Sequence, residues 1–198
     1  MKLIGLTGGV GMGKSTAAEF LQRQGLPVAC TDVIARDIVE PGQPALVEIQ
    51  RAFGGEILGS DGRLLRDRLA RIVFADEAKR RELEAILHPR IRQQWHWQAE
   101  AWRVGSVPAG VVAIPLLFET QAEVEFDCVI CVACSPPTQR QRLQPRGWSL
   151  KEIERRNQAQ WPLDRKMAAA HFVVWNEGGL DVHAGQIERI LAHVLPRR

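Results

Sequence analysis

Nine residues restrict what this chain can fold into more than any others: Gly8-Gly9-Val10-Gly11-Met12-Gly13-Lys14-Ser15-Thr16. An apolar run, Leu3-Ile4-Gly5-Leu6-Thr7, leads into them, and Ala17 and Leu21 beyond them share one helical face. Strand, glycine loop and helix, in that order, are the context that gives G-x-x-x-x-G-K-S its chemical meaning. The glycines let the backbone turn tightly enough for successive N–H groups to converge on a polyphosphate, and the helix N-terminus adds positive potential. The spacing assigns the backbone of Gly11, Met12 and Gly13 to the phosphates and the Lys14 ammonium to the β- and γ-phosphates. It assigns the Ser15 hydroxyl to Mg²⁺ and the Thr16 amide to the α-phosphate.

The following segments read as a parallel α/β sheet. Gly25 is expected to stop the first helix, and Leu26 to Cys30 to form a short buried strand ending at Thr31-Asp32. In such sheets the carboxyl ends of the strands line the ligand crevice, so Asp32 is expected beside the phosphate loop. Further near-continuous apolar runs at 111–114, 126–133 and 171–175 fit strands covered on both faces. Between the second and third strands the chain is mostly helical, with a turn at Asp61-Gly62 and a helix expected to end or kink at Pro89 after His88. Trp95, Trp97 and Trp102 lie near helical spacing and are expected in a core. The chain closes with an amphipathic helix expected to start at Asp181.

Two further stretches carry chemical alternatives. Cys128-x-x-Cys131-x-x-Cys134 looks like part of a metal set, but on a strand a spacing of three sends Cys128 and Cys131 to opposite faces, which favours buried thiols. Pro136 to Gly147 is rich in arginine, and a second short helix, capped by Ser149-x-x-Glu152, follows it. Arginines delivered by a closing lid can spread charge stabilisation over a transferring phosphoryl group, the role expected for Arg142 and Arg146. Arg155 and Arg156 are expected on a solvated face.

A chain of 198 residues accommodates one sizeable core with lobes inserted into it. Its net charge of +3 suits an anionic small molecule and falls short of the basic stripe of a nucleic-acid protein. No apolar run approaches the roughly 18 residues of a membrane span, and Met-Lys leading into a strand does not resemble a signal peptide. The cytoplasm is therefore the expected compartment, with neither nucleic acid nor membrane as partner, for a monomer or weak homo-oligomer.

The sequence resembles the dephospho-CoA kinase family almost end to end. The resemblance rests on the loop from Leu6 to Thr16, Asp32-Val33-Ile34-Ala35-Arg36, Glu40-Pro41-Gly42, Asp61-Gly62 and Val73-Phe74. It continues through His88-Pro89, Pro115-Leu116-Leu117-Phe118-Glu119, Gln139 to Arg146, and Asn176 with Gly178. It implies a P-loop NTPase fold: a five-stranded parallel sheet flanked by helices (about 1–32, 108–135 and 165–198), a helical substrate-binding insertion (about 33–107) and a short lid (about 136–164). It further implies transfer of the ATP γ-phosphoryl group, with Mg²⁺, to the ribose 3′-hydroxyl of dephospho-CoA. By position Asp32 is the implied base, Lys14 and Arg142 are the other catalytic groups, Arg146 belongs to the lid and Asn176 lies near the adenine. Three positions depart from the family pattern. Cys30 stands where an Asp is usual, removing a carboxylate beside Asp32, while Leu65 and His171 replace acidic residues and look structural.

Overall fold

The computed structural model describes residues 1–195, so 196–198, the end of the expected core, lie outside the described residues. Strand β1 (Lys2–Gly8) runs through the loop into helix α1 (Lys14–Arg23), which Gly25 ends at φ +81°. Strands β2 (Val28–Cys30), β3 (Ala109–Ala113), β4 (Cys128–Ala133) and β5 (Phe172–Trp175) join β1 in one sheet of order β2-β3-β1-β4-β5, with every pairing parallel. This is the expected five-stranded parallel sheet. Central β1, β3 and β4 are buried along almost their whole length, which is why they read as unbroken apolar runs rather than as alternating ones.

The chain forms two compact units: Met1–Cys30 with the chain from Ala99 onward, and Thr31–Gln98. In the first, α1 and the closing helix α9 (Leu180–Val194) cover one face of the sheet. Ala17, Leu21, Ile187 and Leu191 meet Ile4, Leu6, Ile130 and Val132 there. Ile4, Leu6 and Leu21 are fully buried, each contributing roughly 1.5–3 kcal/mol by transfer from water. Three helices lie between β4 and β5: α6 (Pro136–Leu143), α7 (Leu150–Gln158) and α8 (Leu163–Ala169), and the Ser149 side chain caps α7 by accepting from Glu152 N at 3.2 Å. Cys128 packs in the core under α1 and α9, and Cys131 and Cys134 are also buried. Burial pushes the Cys128 and Cys131 thiols up to about 11, so they stay protonated and unreactive at neutral pH.

The second unit is helical: α2 (Thr31–Asp37), α3 (Pro44–Phe53), α4 (Arg66–Ala75) and most of α5 (Glu77–Val104). The expected turn at Asp61-Gly62 caps a bridge between Leu58 and Leu64. Pro89 does not end α5, which continues through it to Val104. Proline removes the N–H that would reach the carbonyl of Ala85. Ala85 is exposed, so water can take that bond, while the Arg90 guanidinium adds a hydrogen bond to the next carbonyl, Ile86 O, at 2.6 Å. Of the three tryptophans, Trp95 is 2% exposed, Trp102 lies against Gly110 of β3, and Trp97 is 76% exposed and belongs to no core.

Candidate active site

The loop occupies residues 9–13 between β1 and α1, at the carboxyl ends of the sheet strands. Gly13 stands at the N-cap of α1 with φ +102°, and a Cβ there would sit 2.0 Å from Asn176 Nδ2. Only glycine fits: the backbone turn is left-handed and the space is already taken. Gly11 is similar, with φ +70° and a hypothetical Cβ 2.7 Å from the Leu143 side chain of α6. Lys14 and Thr16 are half-buried, and Ser15 is exposed with its hydroxyl in the first turn of α1.

Three side chains close on the back of the loop. Gln139 of α6, 2% exposed, donates from Nε2 to Val10 O at 2.7 Å and exchanges two 3.0 Å hydrogen bonds with the Asn157 carboxamide of α7. Asn176, just after β5, donates from Nδ2 to Met12 O at 2.9 Å. Arg142 donates from Nη2 to Asn176 O at 3.0 Å and to Asn176 Oδ1 at 3.3 Å, and from Nη1 to Met12 O at 3.5 Å. Arg142, expected at the transferring phosphoryl group, and Asn176, expected near the adenine, bond here to one another and to the loop backbone. Arg146 is exposed in the short turn after α6, which Gly147, at φ +83°, closes by donating to Gln144 O at 2.9 Å while Trp148 N donates to Leu143 O at 3.3 Å. Beneath α6, Glu177 Oε2 accepts from Thr138 Oγ1 at 2.6 Å and its other oxygen accepts from Ser135 N. These bonds hold its carboxyl below the usual range.

Asp32 lies in the first turn of α2, two residues past the end of β2, and is exposed. Cys30, the last residue of β2, is half-buried and brings no carboxylate to this position.

Two buried groups carry no signal in the motif reading. Lys166 of α8, 1% exposed, bonds Glu119 Oε1 and Pro115 O, each at 2.9 Å, and Gln160 Oε1 at 3.3 Å. Glu119 Oε1 also accepts from Trp161 N at 2.7 Å, and Thr7 of β1 donates to the same Pro115 carbonyl at 3.3 Å. One ammonium thus ties the end of β3 to the segment leaving α7. His183 of α9, 1% exposed, lies edge-on to Phe20 at 5.3 Å, and neither ring nitrogen has a hydrogen-bond partner. Burial and then the Arg142 charge push its pKa below the ordinary value. A histidine at the start of an amphipathic helix reads as surface, and a single lysine in Leu163-Asp164-Arg165-Lys166 reads as solvated; only packing shows otherwise.

His171, expected to be structural, accepts from Val129 N at its Nδ1 at 3.1 Å. No group of three His, Cys, Asp or Glu side chains among the described residues is arranged to hold a metal ion, and no helix there is long and apolar enough to cross a membrane.

A family model described as dephospho-CoA kinase matches residues 2–181. A dephospho-CoA kinase from Anaeromyxobacter dehalogenans is 44% identical over 193 residues, covering 97% of this chain and 92% of that protein. A solved structure from Thermus thermophilus superposes with a TM-score of 0.84 at 34% identity, over 98% of this chain and 97% of the other. The structure of a dephospho-CoA kinase from Campylobacter jejuni has a TM-score of 0.72 over 97% and 96% of the two chains, and its 24% identity speaks for the fold alone.

Proposed function

Because this chain belongs to the dephospho-CoA kinase family, we propose that it transfers the γ-phosphoryl group of ATP to the ribose 3′-hydroxyl of dephospho-CoA, giving coenzyme A and ADP in the last step of coenzyme A synthesis. The observation that carries the reading is the strand–loop–helix at residues 2–23, with Lys14 opening the helix and two glycines in left-handed turns. Phosphoryl transfer leaves little covalent work to the protein, so positioning and charge account for the rate. In this reading the N–H groups of Gly11, Met12, Gly13, Ser15 and Thr16 cradle the phosphates, and the Lys14 ammonium meets the charge that develops on the γ-phosphoryl oxygens.

Ser15 suits Mg²⁺, a hard cation that keeps several waters and takes most remaining ligands from phosphates. Ser15 is exposed beside the loop, so its hydroxyl would be available as a protein oxygen ligand. When bound, the ion neutralises charge on the β- and γ-phosphates. Asp32 accepts a hydrogen bond from the 3′-hydroxyl, orients it and takes its proton as the bond to phosphorus forms. With Cys30 beside it, Asp32 does this without a second carboxylate. Arg146 adds positive charge as the lid closes, and Asn176 lies at the adenine end of the nucleotide. Arg142 either exchanges its bonds to Asn176 for the γ-phosphoryl group on closure or keeps them and acts through Asn176. A substrate of this kind fits a cytoplasmic enzyme acting as a monomer or weak homo-oligomer.

The test is ADP release with ATP, Mg²⁺ and a panel of acceptors. Dephospho-CoA is expected to outperform adenosine, AMP and CMP by far, and a nucleoside monophosphate in first place would overturn the acceptor assignment. Asp32→Asn, nearly isosteric, is expected to lower kcat by about 10² to 10⁴ with little change in ATP affinity. An unchanged kcat would remove Asp32 from the chemistry.

A further inference from the structure

We propose that Gln139 is a positioning residue of the phosphate loop: by holding Val10 O from behind, it keeps the Gly11 N–H turned toward the phosphates. The inference rests on the phosphate-loop reading above and deepens it. A trans peptide is planar, with C=O and N–H on opposite sides of the C–N bond. Anchoring the carbonyl of one residue therefore aims the N–H of the next the other way. Gln139 Nε2 anchors Val10 O at 2.7 Å, and Asn176 Nδ2 anchors Met12 O at 2.9 Å, so the two anchored planes are those that carry Gly11 N–H and Gly13 N–H.

The need for such anchors follows from composition. Gly11 and Gly13 supply the left-handed turns, but glycine restrains its own backbone less than any other residue, and a loop of glycines can flip its peptide planes at little cost. A cradle preorganised for anionic oxygens has to resist that flip. Packing adds a second restraint at the same plane, since Leu143, one turn beyond Gln139 on α6, fills the space where a Cβ of Gly11 would stand.

The Gln139 carboxamide is itself over-determined. It is 98% buried, its Oε1 accepts from Asn157 Nδ2, and its Nε2 is shared between Val10 O and Asn157 Oδ1. The Val10 carbonyl decides which end of the amide faces the loop, because the flipped amide would set oxygen against it, and the reciprocal pair with Asn157 holds the amide in that sense. Arg142 does the same for Asn176: its bonds to Asn176 O and Oδ1 leave Nδ2 as the end that meets Met12. Helix α6 thus acts as a splint on the loop, and Asn157 of α7 orients the splint's key side chain without touching the loop itself.

The experiment compares Gln139→Met with the double variant Gln139→Met/Asn157→Leu. The first removes the donor to Val10 and strands the Asn157 carboxamide; the second replaces both carboxamides by apolar groups, so that the Val10 carbonyl is the one group left without its partner. Arg140→Ala, at an exposed position of the same helix that touches neither the loop nor Asn157, is the control. The readouts are inorganic tripolyphosphate binding by calorimetry, folding by circular dichroism, and kcat and KM with dephospho-CoA and ATP. Both Gln139 variants are expected to bind tripolyphosphate at least tenfold more weakly and to lose about 10- to 10³-fold in kcat, the scale for one preorganised N–H donor, with KM for dephospho-CoA nearly unchanged. The control is expected to bind tripolyphosphate within about twofold of the parent, since its loop anchor is intact. Either Gln139 variant, folded and binding tripolyphosphate normally, overturns the inference and leaves the phosphate-loop reading standing. A parent protein that binds neither tripolyphosphate nor ATP overturns that reading as well.

Discussion

Replacing Lys166 by Met keeps most of the side-chain stem and deletes a single buried charge, and the structure sets what is left behind. Glu119, 16% exposed at its side chain, loses the 2.9 Å ammonium contact and retains the Trp161 N–H; its other oxygen, Oε2, is buried and has no hydrogen-bond partner. Pro115 O loses a 2.9 Å charge-assisted bond and retains Thr7 at 3.3 Å. Removing one side of a buried ion pair costs about 3–5 kcal/mol, because the remaining charge is desolvated without compensation. In a chain of 198 residues each kcal/mol moves the melting temperature by about 2–4 °C, so a fall of about 6–20 °C is expected. A surface ion pair, by contrast, contributes about 0–1 kcal/mol and would shift it by no more than about 4 °C. The assay is scanning calorimetry at pH 7.5 with a second arm, Lys166→Met/Glu119→Gln, in which no charge is stranded. That arm is expected to recover about 1–3 kcal/mol, the coupling of groups in one network. A Lys166→Met protein melting within about 2 °C of the parent, or a second arm with no recovery, would refute the idea that this pair is a buried, mutually dependent one.

Two further expectations concern the loop and its surroundings. Gly13→Ala introduces a Cβ 2.0 Å from Asn176 Nδ2 at φ +102°, and nucleotide binding is expected to fall by at least tenfold, as read by calorimetry, because the loop or Asn176 must move. Near-parental affinity would mean that the loop tolerates another backbone path. His183 titrates below its ordinary value in the folded state, so the unfolded chain takes up the proton first. The stability this contributes is present above the unfolded pKa of about 6.5 and is lost as pH falls below it. Urea unfolding of the parent and of His183→Phe at pH 7.5 and 5.5 is expected to show the parent losing more stability on acidification, and equal losses would show that His183 takes up its proton equally readily in the folded and unfolded states.

The parts of this protein written in local sequence were the strands, the first helix and the phosphate loop. Their signals are short-range: apolar runs for β1, β3 and β4, glycines where φ is positive at Gly11, Gly13 and Gly25, and a hydroxyl cap at Ser149. Where a local rule failed, a longer-range circumstance prevailed. Pro89 passes through α5 because the carbonyl it frees lies on an exposed face; Trp97, by contrast, points to solvent for a local reason, since two residues along the helix put it on the side opposite Trp95. Motif position named Lys14, Ser15, Asp32, Arg142 and Asn176, but it could not say what Arg142 and Asn176 touch. The tertiary structure alone decided that Gln139, Asn176 and Arg142, about 130 to 165 residues beyond the loop, close on its outward carbonyls. It also buried Lys166 against Glu119 and His183 against Phe20. The reason is physical: a backbone turn is encoded by the residues that make it, whereas the partner of a buried polar group is chosen by which distant segment the sheet order brings alongside.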